Sequence, residues 1–522
     1  MNQALKSKLG QRFAIGFSGT TVTDELRDIV REYEFGNFIL FRENLVSTEQ
    51  TRTLCRELHE LAMEVTGIPP LIAIDQEGGM VTRLAEDELN IPGAMALAAT
   101  GDPERIREFN ELNGRLLRDL GFNFNLAPVA DVNTEPDNPV IGVRSYGDTA
   151  EQVADYAQAA FEGLRAGGVL GAAKHFPGHG DTTVDSHVGL PRVDKTREEL
   201  EAQELLPFRQ LAAAQVDAIM TTHILFPELE PERVPATMSE AILTGLLRED
   251  YGYEGLIVSD CMEMDAIVEH YGTVEGVLES FRAGVDLVFI SHTPQLAVES
   301  FETVYQAYAS GELLADALEA SYARLMQAKV RLAEPISPLE DADRAAAQAR
   351  IRAILPATYC AVPADKPLQA LDTQTATVIL GPAPYRATNV SNEAGASLSF
   401  ARDLGKQLGL LSLETSARPS ASEIQQAVQQ TAHAEQVILG LYNAHVFTEQ
   451  LALWRALRDA GRTVLPVALR NPYDLMYLSE EEQGLAIFEY TPKSLASLAD
   501  VLAGRALPTG HCPVALERRV IP

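Results

Sequence analysis

A chain of 522 residues, 46% hydrophobic and 22% charged, is long enough for two or three domains and has an ordinary globular composition. Its formal net charge of −32 argues against nucleic acid or an anionic membrane as partner, since both would repel it, and otherwise serves solubility. Cys55, Cys261, Cys360 and Cys512 are scattered with no C-x-x-C pair, so neither a disulfide framework nor a structural zinc site is expected, and no metal or cofactor is implied.

The N-terminal MNQALKSKLGQRFAIGF lacks a long apolar h-region and a small-residue cleavage site, and no run reaches the length of a membrane span. A soluble cytoplasmic protein is the expectation. Eight apolar, strand-like runs then follow: 12–17, 35–41, 70–75, 122–131, 167–175, 216–223, 255–260 and 285–290. Between them lie stretches with apolar residues three and four apart, such as STEQTRTLCRELHELAMEV and TREELEAQELLPFRQLAAAQ. Ser47 ahead of Gln50 fits a capping box at the start of the first. Eight runs with intervening helices predict an α/β fold beginning with a (β/α)₈ TIM-like barrel over residues 1–334.

Polar residues fall at the ends of the runs. Asp75 ends the third, Asp131 the fourth, Lys174 and His175 the fifth, His223 the sixth and Asp260 the seventh. An Asp after a strand can be a helix N-cap, and for Asp131 capping or loop support competes equally with function. Five strand ends at once point to a common catalytic face, where barrel enzymes place their chemistry.

Residues 335–370 mix Pro, acidic and Ala-rich segments and read as a linker with one helix. Beyond it, TATVILG (375–381), AEQVILGLYNA (434–444), RTVLPVAL (462–469) and GLAIFEY (484–490) are buried-strand candidates separated by helices. Residues 371–522 therefore read as a smaller α/β layered domain of the doubly wound kind. GPAPYRATNVSNEAG, after its first strand, reads either as a binding loop or as ordinary turns. No G-x-G-x-x-G or Walker A sequence supports a nucleotide.

The densest chemistry lies in KHFPGHGDTTVDSH, residues 174–187, which holds His175, His179, His187, Asp181, Asp185 and Lys174 with Gly178 and Gly180 between them. So polar a loop after an apolar strand is not core, and its titratable groups mark a site. Asp260, in GLIVSDCMEM, is placed to attack an electrophilic carbon. His187 can give and then take a proton, with Asp185 two residues earlier holding its ring.

KHFPGHGDTTVDSHVGLP, IDQEGGMVTR (74–83), VIGVRSYGD (140–148) and GLIVSDCMEM (255–264) together closely resemble the bacterial β-N-acetylglucosaminidases of glycoside hydrolase family 3. GLYNAH (440–445) and ALRNPYDL (468–475) resemble the second domain of the longer members. The resemblance implies a retaining exo-β-N-acetylglucosaminidase acting through a covalent glycosyl-enzyme on a small carbohydrate substrate. It implies Asp260 as nucleophile and His187 with Asp185 as the acid–base dyad peculiar to this branch. It implies that Asp75, Arg144, Lys174 and His175 hydrogen-bond the terminal sugar, and Arg83 and His179 join them as binding candidates. One departure stands out: where the family carries Arg after DQEGG, this chain has Met80. Met80 either faces the sugar, loosening its discrimination, or packs against the barrel rim.

Other readings remain. A β-N-acetylglucosaminide phosphorylase would use the same site with phosphate as attacking group. A metal-dependent amidohydrolase would need an early H-x-H pair, whereas the first histidine is His59. A non-catalytic sugar sensor would not need both catalytic partners. The aglycone stays open among a peptidoglycan fragment, as in cell-wall recycling, a chitooligosaccharide and another glycoconjugate.

Overall fold

The computed structural model describes residues 2–182, 189–333, 339–366, 368, 375–383 and 398–521. Each of the eight expected runs contains a strand: β1 (Phe13–Ile15), β2 (Asn37–Leu40), β3 (Leu71–Ile74), β4 (Phe124–Asn125), β5 (Leu170–Phe176), β6 (Ala218–Thr221), β7 (Leu256–Cys261) and β8 (Leu287–Ile290). They pair in chain order, all parallel, and β8 returns to β1 with Phe289 opposite Ala14, closing the barrel.

Alternation along each strand divides its side chains between two faces. Leu71, Ala73, Phe124, Ala172, Ala218, Leu256, Val258 and Phe289 belong to one buried cluster, the barrel interior. Their neighbours Ile72, Ile74, Ala173, Ile219, Ile257 and Val288 join a separate cluster beneath the helices. The interior is thus filled by side chains, and a site can form only at an end.

Two helix readings change in detail. Ser47 caps the helix Thr48–Thr66 by accepting from the Gln50 N–H at 3.2 Å, but the reciprocal half of the expected box is displaced. Gln50 Oε1 accepts instead from the Val46 N–H at 2.9 Å, one residue before the cap. The stretch after Thr196 forms two helices, Arg197–Ala202 and Leu205–Ala213. Pro207 explains the break, because its ring would clash with the carbonyl of Gln203 in a continuous helix.

The second sheet contains β9 (Cys360–Val362), β10 (Thr377–Pro382), β11 (Leu411–Thr415), β12 (Gln436–Leu441), β13 (Thr463–Ala468) and β14 (Gly484–Ala486). Its order is β11-β10-β12-β13-β14-β9, parallel throughout except for β9 against β14. Setting β9 aside, the order is that of a doubly wound sheet. Val437, Leu439 and Leu441 face the cluster containing Trp454 and Leu457, whereas Ile438 faces the one containing Phe400, Leu404 and Leu498. Helices therefore cover both faces. The helix expected in the 335–370 stretch is Asp341–Thr358, but Cys360–Val362 is part of the sheet and not of a linker. Most of GPAPYRATNVSNEAG lies outside the described residues.

The loops leaving β12, β13 and β14 meet the barrel loops after β3 and β4. The Tyr490 N–H donates to Met80 Sδ at 3.0 Å, and the Gly93 N–H donates to Glu489 Oε2 at 3.1 Å. Met80 shares a buried cluster with Tyr359, Ile487 and Tyr490. Among the described residues no helix is long and apolar enough to cross a membrane. Met80→Arg should bury an unpaired guanidinium at this junction and cost about 3 kcal/mol or more. Met80→Leu, close to volume-conserving, should cost less than about 1.5 kcal/mol. Thermal denaturation of the two variants checks this, and equal midpoints would contradict the buried placement.

Candidate active site

A cavity of about 490 Å³ opens at the carboxyl ends of the barrel strands. Ile39, Leu126, Met220 and Phe289 from the barrel interior line its base, and Asp75, Arg83, Arg144, Lys174, His175, His179 and Asp260 supply its chemistry. Its size suits a small-molecule ligand.

One wall is a lattice of buried charges. Lys174 Nζ donates to Asp75 Oδ1 and Glu77 Oε1, both at 2.7 Å. Arg144 forks onto the same Glu77, with Nε to Oε2 at 2.9 Å and Nη2 to Oε1 at 2.8 Å. Arg83 approaches Asp75 Oδ2 at 3.9 Å. Burial alone would push Glu77 upward, yet the Arg144 and Lys174 charges outweigh it and hold the carboxyl well below the usual range. Burial opposes the Lys174 charge, but Asp75 and Glu77 reverse the balance and raise its pKa. Arg144 is likewise raised, by Glu77 against burial. For Arg83 burial prevails and lowers it.

Asp131 organises the adjoining wall. Its Oδ2 accepts from His175 Nδ1 at 2.6 Å, and its Oδ1 accepts the N–H groups of His175 at 3.1 Å and His179 at 2.7 Å. Loop support, one of the two readings of Asp131, is therefore a large part of its work. A carboxylate can only accept, so Nδ1 of His175 carries a proton and Nε2 points toward Arg144 Nη2, 3.4 Å away. Burial raises Asp131, but the neighbouring His175 pulls it below the ordinary value. His179 is pushed down to about 4, first by burial and then by His175. Its Nδ1 lies 2.8 Å from the Thr182 hydroxyl.

Asp260 stands on β7, half-buried at the cavity wall, and its Oδ1 accepts the Cys261 N–H at 2.7 Å. His223 is fully buried behind it. Its Nε2 donates to the Cys261 carbonyl at 2.9 Å, and its Nδ1 lies 2.9 Å from Thr237 Oγ1. The sixth-strand histidine is thus a strut under β7 and does not line the cavity. Burial drives the Cys261 thiol up to about 12, so it stays protonated.

The structure brings Asp75, Arg83, Arg144, Lys174, His175, His179 and Asp260 to one cavity. Asp185 and His187 fall within residues 183–188, outside the described residues. Met80 is a correction: it does not line the described cavity wall, because its side chain is drawn into the apolar junction with the second sheet. Sequence reasoning missed Glu77, two residues beyond Asp75, although the basic residues expected at the same site require nearby anions. Among the described residues no group of three or more His, Cys, Asp or Glu side chains is arranged to hold a metal ion.

Residues 4–328 match the glycosyl hydrolase family 3 N terminal domain. Beta-hexosaminidase A of Pseudoalteromonas piscicida is 38% identical over 343 residues, covering 61% of this chain and 57% of that protein. The beta-hexosaminidase of Alkalilimnicola ehrlichii is 35% identical over 287 residues, covering 54% of this chain and 80% of its own. The structure of a family 3 β-N-acetylglucosaminidase from Paenibacillus sp. superposes with a TM-score of 0.90 at 36% identity, covering 99% of both chains. The chain spans little more than half the length of the Pseudoalteromonas relative and nearly the whole of the Paenibacillus structure.

Glu77 gives the lattice a pH dependence of definite sign. Its folded pKa lies below the ordinary 4.5, so its contribution is complete above that value and lost as pH falls toward the folded pKa. Glu77→Gln should destabilise the protein by about 3–5 kcal/mol at neutral pH, because it leaves Lys174 and Arg144 short of an anion. The deficit relative to wild type should shrink on acidification toward about pH 3. Denaturant melts at the two pH values test this, and a deficit independent of pH would contradict it.

Proposed function

The chain belongs to glycosyl hydrolase family 3, and we propose that it works as a retaining, exo-acting β-N-acetylglucosaminidase. The relatives named beta-hexosaminidase and the Paenibacillus β-N-acetylglucosaminidase support the substrate class. The observation that carries the reading is the placement of Asp260 in one cavity with a wall of charged hydrogen-bonding groups. Sugar hydroxyls both donate and accept, and a wall holding Lys174, Arg144 and Asp75 offers partners for both.

In the proposed mechanism Asp260 attacks the anomeric carbon while His187 protonates the leaving oxygen. Asp185 orients the imidazole and stabilises its charged form. The product is a glycosyl ester on Asp260 and a free aglycone. His187 then takes a proton from water, which attacks the same carbon, releases the sugar with its original configuration and restores Asp260. Asp75, Arg144, Lys174 and His175 hold the terminal sugar, with Arg83 and His179 beside them. Their fixed charges and hydrogen bonds stabilise an oriented sugar without having to reorganise.

Asp260→Ala should lower turnover of an aryl N-acetylglucosaminide by about three orders of magnitude while leaving the melting curve close to wild type. Azide should restore turnover and give the glycosyl azide of inverted configuration. Near-wild-type activity in Asp260→Asn would overturn the nucleophile assignment.

His187→Ala should slow substrates with poor leaving groups far more than activated aryl glycosides, and Asp185→Ala should show a milder form of the same pattern. Equal losses on all leaving groups would point to a binding role instead. With phosphate present, the expected product remains the free sugar. A sugar phosphate would identify a phosphorylase.

A further inference from the structure

Arg144 occupies the cavity wall at the end of a short turn, Gly142–Arg144, and a buried guanidinium can be only as well placed as the backbone beneath it. Three asparagines hold that backbone. Asn138 Oδ1 accepts the N–H groups of Val140 at 2.9 Å and Ile141 at 2.8 Å, and Asn133 Oδ1 accepts that of Gly142 at 3.0 Å. The next N–H, that of Val143, donates across the junction to Asn471 Oδ1 at 3.1 Å, so the second domain completes the cradle.

The approach is close enough to dictate sequence. A Cβ on Gly142, where φ is +46°, would stand 2.4 Å from Asn471 Oδ1. Asn471 is itself fixed from behind, donating through Nδ2 to Asn443 Oδ1 at 3.1 Å. Asn133, the other side chain holding Gly142, donates to the Tyr473 hydroxyl at 2.7 Å. His445 Nδ1 bonds Asp474 Oδ1 at 2.7 Å and ties the loop carrying Asn443 to the one carrying Tyr473. GLYNAH and ALRNPYDL, the two second-domain motifs singled out in the sequence, thus meet in one buried network, and its contact through Asn471 ends on the Arg144 turn.

We propose that Asn471 is a positioning residue of the barrel site: it fixes the turn that aims Arg144, and thereby the affinity for the terminal sugar. The inference rests on the proposed contact of Arg144 with the sugar. The second domain then acts on substrate affinity without lining the described cavity, by removing one degree of freedom from a residue that does.

The test is a double-mutant cycle on the full chain, using an aryl N-acetylglucosaminide. Asn471→Ala should raise KM by about fivefold with kcat within about twofold of wild type, and in an Arg144→Lys background it should change KM by less than about twofold. Asn471→Asp, which keeps an acceptor for the Val143 N–H, should restore most of the affinity even where it lowers the melting temperature. If Asn471→Ala does not fold, Tyr473→Phe carries the comparison, with a smaller rise in KM that Arg144→Lys again abolishes. Lower thermal stability with unchanged KM overturns the inference, as do independent, multiplying effects in the double variant. If Arg144→Lys alone leaves KM unchanged, the sugar contact of Arg144 fails. A KM effect of Asn471→Ala in that case also overturns the inference, since it would not act through Arg144.

Discussion

Lys174 and Arg144 share the carboxylate of Glu77 in a site from which water is largely excluded, and Lys174 also reaches Asp75. Taking an ion out of water costs several kcal/mol, so none of these groups is tolerable without the others. They come from separate parts of the chain: Asp75 and Glu77 after β3, Arg144 after β4, and Lys174 from β5. Pairing them fixes the relative positions of three neighbouring strand ends. The contact also explains how a cavity wall can present charged donors without collapsing onto them. The charges are held by anions within the wall, and Asp75, Arg144 and Lys174 all line the cavity.

The second sheet extends this constraint. Three adjacent parallel strands, β12, β13 and β14, end side by side, and parallel sheets gather their functional loops at that edge. Here the edge meets the corresponding edge of the barrel. Glu489 accepts from the Gly93 backbone, Tyr490 donates to Met80, Tyr473 accepts from Asn133 and Asn471 accepts from the Val143 backbone. Two of the barrel partners are backbone N–H groups. Contacts of this kind fix loop conformation directly, whereas a purely apolar junction would leave the loops room to slide.

The barrel was legible in the sequence because buried parallel strands leave uninterrupted apolar runs, and each of the eight contains an observed strand. The two missed strands are both sheet edges. β11 shows only exposed or half-buried positions, and β9 has three residues immediately after a helix, so neither offers a continuous buried run. At the site, strand-end position identified Asp75, Lys174, His175 and Asp260 on the cavity wall. It also suggested a shared role for His223, which instead supports β7 from behind, because a strand-end rule cannot say which way a side chain turns. The direction taken by Met80 depended on Tyr490, 410 positions away in the chain, and Asn471 meets Val143 across 328. No local pattern encodes such contacts.

The lattice also sets the electrostatics that a bound ligand would meet. Glu77 and Asp131 are displaced below their ordinary range, Lys174 and Arg144 above theirs, and His179 down to about 4. Each displacement moves the pKa away from pH 7, so around that pH Glu77 and Asp131 are ionised, Lys174 and Arg144 are cationic and His179 is neutral. These five groups therefore keep one charge state over that range and present the same donors and acceptors throughout it. In the proposed mechanism, orientation of the sugar draws on groups locked in one state, and proton transfer is left to His187. The ordinary range of an imidazole lies where those five groups do not titrate.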